Sequence, residues 1–88
     1  MKLTVKFTDD GGDALTVVFD NANGTVANDR GFKGAFTYDP ASNTATINAE
    51  DFKGTVTYAG PPPLEIGAQT HYTNSFGQKG VATLLAVE

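Results

Sequence analysis

Cysteine and tryptophan are absent from this 88-residue chain, and histidine occurs once. The lack of cysteine excludes a disulfide scaffold, a thiolate zinc site and an iron–sulfur cluster. Charge is sparse, 18% of residues with a net of −4. That is the wrong sign for a nucleic-acid backbone, which needs clustered Lys and Arg. No apolar run approaches the roughly 20 residues of a membrane-spanning helix. The opening Met1-Lys2-Leu3-Thr4-Val5-Lys6-Phe7 interleaves lysine with apolar residues and does not read as a secretion signal. A composition rich in Thr, Asn, Gly and Ala suits a surface or virion protein, and the compartment stays open. The length allows one domain, residues 1–88, burying about 60–65% of the surface its unfolded chain exposes. Such a chain has no room for separate cofactor and substrate domains, and no cofactor is expected.

What is present is alternation. Leu3, Val5 and Phe7 share one side of a strand, with Lys2, Thr4, Lys6 and Thr8 on the other. Asp9-Asp10-Gly11-Gly12-Asp13 is turn chemistry, and Leu15, Val17 and Phe19 resume the pattern, so residues 2–19 read as a hairpin. Asn23-Gly24 marks the next turn and Thr25-Val26-Ala27 a short third strand. The same residues complete a glycosylation sequon, but the hairpin explains them. Phe32, Gly34, Phe36 and Tyr38 share a face, Asp39-Pro40-Ala41-Ser42-Asn43 turns the chain, and Ala45 and Ile47 point inward on the return.

Phe32-Lys33-Gly34-Ala35-Phe36-Thr37-Tyr38 recurs 20 residues on as Phe52-Lys53-Gly54-Thr55-Val56-Thr57-Tyr58. Two copies are too few for a solenoid and suggest pseudo-repetition inside one closed or two-layer sheet. The glycines then mark places where the sheet bends or a neighbour lies across the backbone. Gly60-Pro61-Pro62-Pro63 cannot belong to a ladder and is expected to carry the chain between two sheets. Leu64, Ile66, Ala68, Thr70 and Tyr72 alternate as a long strand, Asn74 to Gly80 forms a loop, and Val81 to Val87 a final strand. Seven or eight short strands with regular turns point to an all-β fold, a small antiparallel β-sandwich that is immunoglobulin-like in architecture only. The alternative is a small β-barrel.

The inventory for catalysis is poor. A nucleophilic triad would need His71 as its base, and neither Ser42 nor Ser75 sits in a strained elbow. The carboxylates fall in turns rather than in a cleft. Asp9, Asp10 and Asp13 could offer calcium three oxygen ligands, completed by Asp29 or Asp51, but turn propensity alone accounts for them. A non-catalytic binding or assembly module is therefore expected, its partner another protein or a second copy of the chain. Two features could serve such contacts: the stiff apolar segment Pro61, Pro62, Pro63 and Leu64, and the uncharged last strand with Val81, Thr83 and Leu84, should it lie at a sheet edge. The alternatives are a protease inhibitor presenting the proline-rich loop, or a barrel binding a small ligand. An assembly subunit would show an open strand edge, an inhibitor a protruding rigid loop, and a ligand barrel an apolar internal cavity.

Overall fold

The computed structural model describes residues 1–61 and 64–88. Among them, eight strands follow one another: β1 (Lys2–Asp9), β2 (Ala14–Asp20), β3 (Thr25–Asn28), β4 (Lys33–Asp39), β5 (Thr44–Ala49), β6 (Lys53–Tyr58), β7 (Gln69–Asn74) and β8 (Lys79–Val87). Each pairs antiparallel with the next, and β8 returns to β1, so one sheet closes on itself as a barrel. The two-layer sandwich is thereby corrected to the alternative. The connection containing Pro61 does not change sheets, because β6 and β7 on either side of it are hydrogen-bonded neighbours. Pro62 and Pro63 lie outside the described residues.

Closure also corrects the reading of the last strand. β8 pairs with β1 from Asp9↔Gly80 to Leu3↔Val87 and with β7 from Thr73↔Lys79 to Gln69↔Thr83. Leu84 is bonded further to the segment before β7, donating its N–H to the Ala68 carbonyl at 3.0 Å. Val81, Thr83 and Leu84 thus have partners on both sides, and barrels of this kind remove sheet edges. Leu84 is a core residue, while Val81 and Thr83 face outward opposite Thr8 and Lys6. The register shifts between Thr4 and Val5, leaving Leu85 as an extra, exposed residue in a β-bulge. Leu64 and Ile66 do not extend β7. Gly67, with φ 89°, occupies the third position of a turn closed by the Ala68 N–H on the Glu65 carbonyl, and Ile66 stands 69% exposed.

The inward faces supply the core: Phe7, Val17, Phe19, Val26, Ala45, Ile47, Ala49, Val56, Tyr58, Tyr72 and Ala82. Its centre is aromatic. The Phe7 ring meets Tyr72 edge-on at 5.1 Å and Phe19 at 6.2 Å, and Phe19 meets Phe36 at 5.0 Å. Such edge-to-face pairs place positive ring edges against negative faces. Burial holds the Tyr58 phenol neutral well above its ordinary range, with the neighbouring Tyr38 and Tyr72 adding to the effect.

The runs beginning at Phe32 and Phe52 lie on β4 and β6, on either side of β5. Gly34 faces inward against Ala49, and a methyl group there would collide with the backbone of Asn48 and Ala49. At Gly80 the obstacle is the backbone of Thr8 and Asp9, and at Gly54 the side chains of Ser75 and Phe76. Strands can approach so closely only over glycine, which lets a small barrel bend sharply.

Candidate functional site

The odd-numbered strands all end at the same end of the barrel, and three of the four turns there share one construction. Their sequences are Asp9-Asp10-Gly11-Gly12-Asp13, Asn28-Asp29-Arg30-Gly31-Phe32 and Asn74-Ser75-Phe76-Gly77-Gln78. In each, the carboxylate or amide oxygen of the first residue accepts the N–H of the fifth: Asp13 to Asp9 Oδ1 at 3.0 Å, Phe32 to Asn28 Oδ1 at 3.1 Å, Gln78 to Asn74 Oδ1 at 3.0 Å. The first residue's N–H donates to the carbonyl of the fifth at 2.9–3.0 Å, and its own carbonyl accepts from the glycine at 3.0–3.1 Å. Gly12, Gly31 and Gly77 hold φ between 80° and 90°, the left-handed geometry that completes a three-residue hairpin loop with a glycine bulge. The fourth turn, between β5 and β6, is shorter, with Ala49 and Phe52 exchanging backbone bonds. Asn28 Nδ2 donates to Asp51 Oδ2 at 2.8 Å and ties two turns together.

Between these turns the barrel is open. A cavity of about 220 Å³ enters it, floored by Phe7, Val17, Ile47, Val56 and Tyr72 and walled by Leu15, Val26, Ala49, Phe32 and Phe52. The Phe52 ring is braced edge-on by Phe76 at 5.2 Å, and Phe32 stands at the rim, 39% exposed. Polar groups occupy the rim: Asp9, Asp13, Asn28, Arg30, Asp51, Asn74 and Gln78. An apolar floor with a few oriented polar groups above it is the usual make-up of a small-molecule site, and barrel mouths are a favoured place for one. The Tyr72 hydroxyl is pushed toward higher pKa by burial, reinforced by the charges of Asp9 and Asp10, so it stays a neutral phenol.

The structure distributes the residues singled out from the sequence unevenly. Asp9 and Asp13 line the rim on one side and Asp51 on the other. Among the described residues no three His, Asp or Glu side chains are grouped to hold a metal ion. One oxygen of Asp9 is taken by the Asp13 N–H, and Asp10 does not line the cavity. Pro61 and Leu64 are exposed in the connection between β6 and β7, at the other end. His71 lies on the outer face opposite Val81, and the Ser75 hydroxyl accepts the Thr55 N–H at 3.0 Å, a latch between turn and strand. Arg30, Phe32, Phe52, Asn74 and Gln78 were not foreseen as site residues. For Arg30, Phe32, Asn74 and Gln78 the signal is the thrice-repeated Asp/Asn-x-x-Gly-x, which fixes the turn geometry; Phe52 belongs to the fourth, different turn.

No family model, no curated protein and no solved structure matches the chain. Among the described residues no helix is long and apolar enough to cross a membrane.

Proposed function

We propose that the protein is a non-catalytic binding module whose site is the open end of the barrel, where it takes up one small, largely apolar molecule. The observation that carries this is the cavity of about 220 Å³ entering the core between the turns. An engineered apolar cavity of roughly 150 Å³ holds benzene, and drug-sized ligands occupy roughly 300–1,000 Å³. The volume here suits a single substituted ring. Eight strands give an interior just wide enough either to be filled by side chains or to hold one such ligand.

The test is a screen of single-ring fragments by NMR on the intact chain. Binding should shift the amides of Ala49, Phe52 and Asn74 and leave those of the β6–β7 connection unmoved. Ala49→Phe and Leu15→Trp fill the mouth and should abolish the shifts while the fold persists. Fragments that bind equally well to the filled variants would place the site elsewhere.

A second reading, assembly with another chain, is favoured by one observation. Leu64 and Ile66 of the β6–β7 connection are 59% and 69% exposed, and Leu85 and Val87 of β8 are exposed as well. Light scattering on the parent chain and on Ile66→Lys with Leu85→Lys tests it. A mass above that of one chain, reduced by the substitutions, supports association, and a monomer throughout removes it.

A further inference from the structure

We infer that the mouth selects small aromatic or cyclic amines, entering as monocations, over neutral and anionic molecules of the same shape. This rests on the cavity being a ligand site and concerns which ligand it takes. The charge of the rim, three carboxylates above an aromatic lining, carries the inference. Asn28 Oδ1 already accepts the N–H groups of Arg30 and Phe32, and its Nδ2 is given to Asp51. Asn74 Oδ1 accepts from Phe76 and Gln78, and its Nδ2 is given to Gln78 Oε1 at 2.8 Å. Both amide oxygens are committed to the turns, and each amide nitrogen keeps one N–H. The carboxylates are not, since each ionised carboxylate has about four lone-pair sites. Asp9 uses one oxygen for the Asp13 N–H and Asp51 one for Asn28. The rim therefore presents ionised acceptors with unspent lone pairs beside the donors of Gln78 Nε2 and Arg30, and its net charge is negative.

The placement of the carboxylates makes the mouth negative on two sides rather than at one point. Asp9 and Asp13 belong to the β1–β2 turn and Asp51 to the β5–β6 turn, which face one another across an eight-stranded ring. Three carboxylates line the cavity against the single guanidinium of Arg30. Lys33, Lys53 and Lys79, the first residues of β4, β6 and β8 at this end, do not line it. Below the carboxylates lie the rings of Phe7, Phe32, Phe52 and Tyr72, whose faces attract a cation and whose edges pack a ring. An ammonium brings three charged donors to these carboxylates, whereas a carboxylate ligand would meet like charge opposed by Arg30 alone. The upward push on Tyr72 from Asp9 and Asp10 has the same electrostatic origin.

Three probes on one phenylethyl skeleton separate the possibilities: 2-phenylethylamine, 2-phenylethanol and 3-phenylpropionate, titrated by NMR at pH 7 in low salt. The amine should bind about tenfold more tightly than the propionate, with the alcohol between them, as expected for a few exposed charge pairs. Raising salt to about 0.5 M should collapse that ratio, because screening then acts within several ångströms. Asp13→Asn combined with Asp51→Asn should weaken the amine about fivefold and leave the alcohol unchanged, and Arg30→Gln should strengthen the amine. Equal affinities for all three probes, or a preference for the propionate, would overturn the selection for amines while leaving the cavity a ligand site. Absence of binding by any probe, the alcohol included, would overturn both.

Discussion

The two ends of the barrel are built from different turns, and their interiors differ accordingly. At the mouth, three turns of one design stand around a cavity of about 220 Å³. At the opposite end, β2–β3 and β4–β5 are joined by four-residue loops, closed by Gly24 and Asn43 in the left-handed region, and β6–β7 by a longer connection. There the void among Leu3, Tyr58, Ala68, Thr70 and Leu84 is only about 30 Å³. Asp20 organises the first of those loops, accepting from Ala22 and from both the backbone and side chain of Asn23, and the Asn23 side-chain bond leads in lowering its pKa. Both ends satisfy their backbone groups through Asp and Asn. Only the packed end has a segment, Gly67–Ala68, that folds back to bond with Leu84. Both ends carry short turns, and the packed end adds a longer connection that folds back against Leu84.

The strongest way to break this contrast is to remove the partition between the two halves. Phe7→Ala deletes the ring that packs against Phe19 and Tyr72, and should cost about 3–5 kcal/mol in urea unfolding. That is a large share of the stability of a domain this size, so Phe7→Leu, expected to cost about 1 kcal/mol, is the version to pair with ligand titration. Next come the glycines. Gly34→Val and Gly80→Val drive a side chain into neighbouring backbone and should each cost about 1–3 kcal/mol. Gly54→Val should cost less, because its obstacles are the movable side chains of Ser75 and Phe76. Equal losses at all three would mean that the sheet yields as readily as a side chain.

A smaller effect sharpens the comparison of turns. Asn28→Ala, Asn74→Ala and Asp20→Ala should each lose about 1 kcal/mol in thermal or urea melts. Only the first two should also weaken ligand binding at the mouth. The smallest effect near neutral pH comes from Tyr58 in the packed end. Its folded pKa is raised above the ordinary 10.0. The unfolded chain therefore releases the phenol proton first, so stability is level below about pH 10 and falls as pH rises through the folded value. Tyr58→Phe should flatten that alkaline slope in pH-dependent melts, and an unchanged slope would assign it to another tyrosine.

Much of this was legible in the chain. Strict alternation in Leu3-Val5-Phe7 and Leu15-Val17-Phe19 fixed strand identity and facing, because a side-chain period of two admits one core face. Asn43 was readable as a left-handed turn residue and has φ 52°. Closure was not readable. Whether β1 meets β8 depends on bend and twist summed over the sheet, and the local signs of bending are only Gly34, Gly54 and Gly80. The bulge at Leu85 defeated alternation in the last strand, since Val81, Thr83, Leu85 and Val87 sit at every second position yet do not share a face. Leu64 and Ile66 alternated correctly and still fell outside β7, because the turn at Gly67 intervenes. At the mouth, Asp9 and Asp13 drew notice as cation ligands. The phenylalanines read as ordinary core, because no local pattern marks which core residues will line an opening.

The β1–β8 seam has a kinetic meaning. Seven of the eight seams join strands consecutive in sequence, and each can form by zipping outward from its own turn. The eighth joins Leu3 to Val87 and has no turn to nucleate it. Chain-closure entropy grows only slowly with length, about 0.6 kcal/mol per doubling, so this seam is cheap to close once the meander has curled and costly before. Folding is therefore expected to end with the seam. Substitutions along it, such as Lys2→Pro, which removes the N–H donated to the Glu88 carbonyl, should accelerate unfolding in chevron measurements, and substitutions in the local hairpins should slow folding.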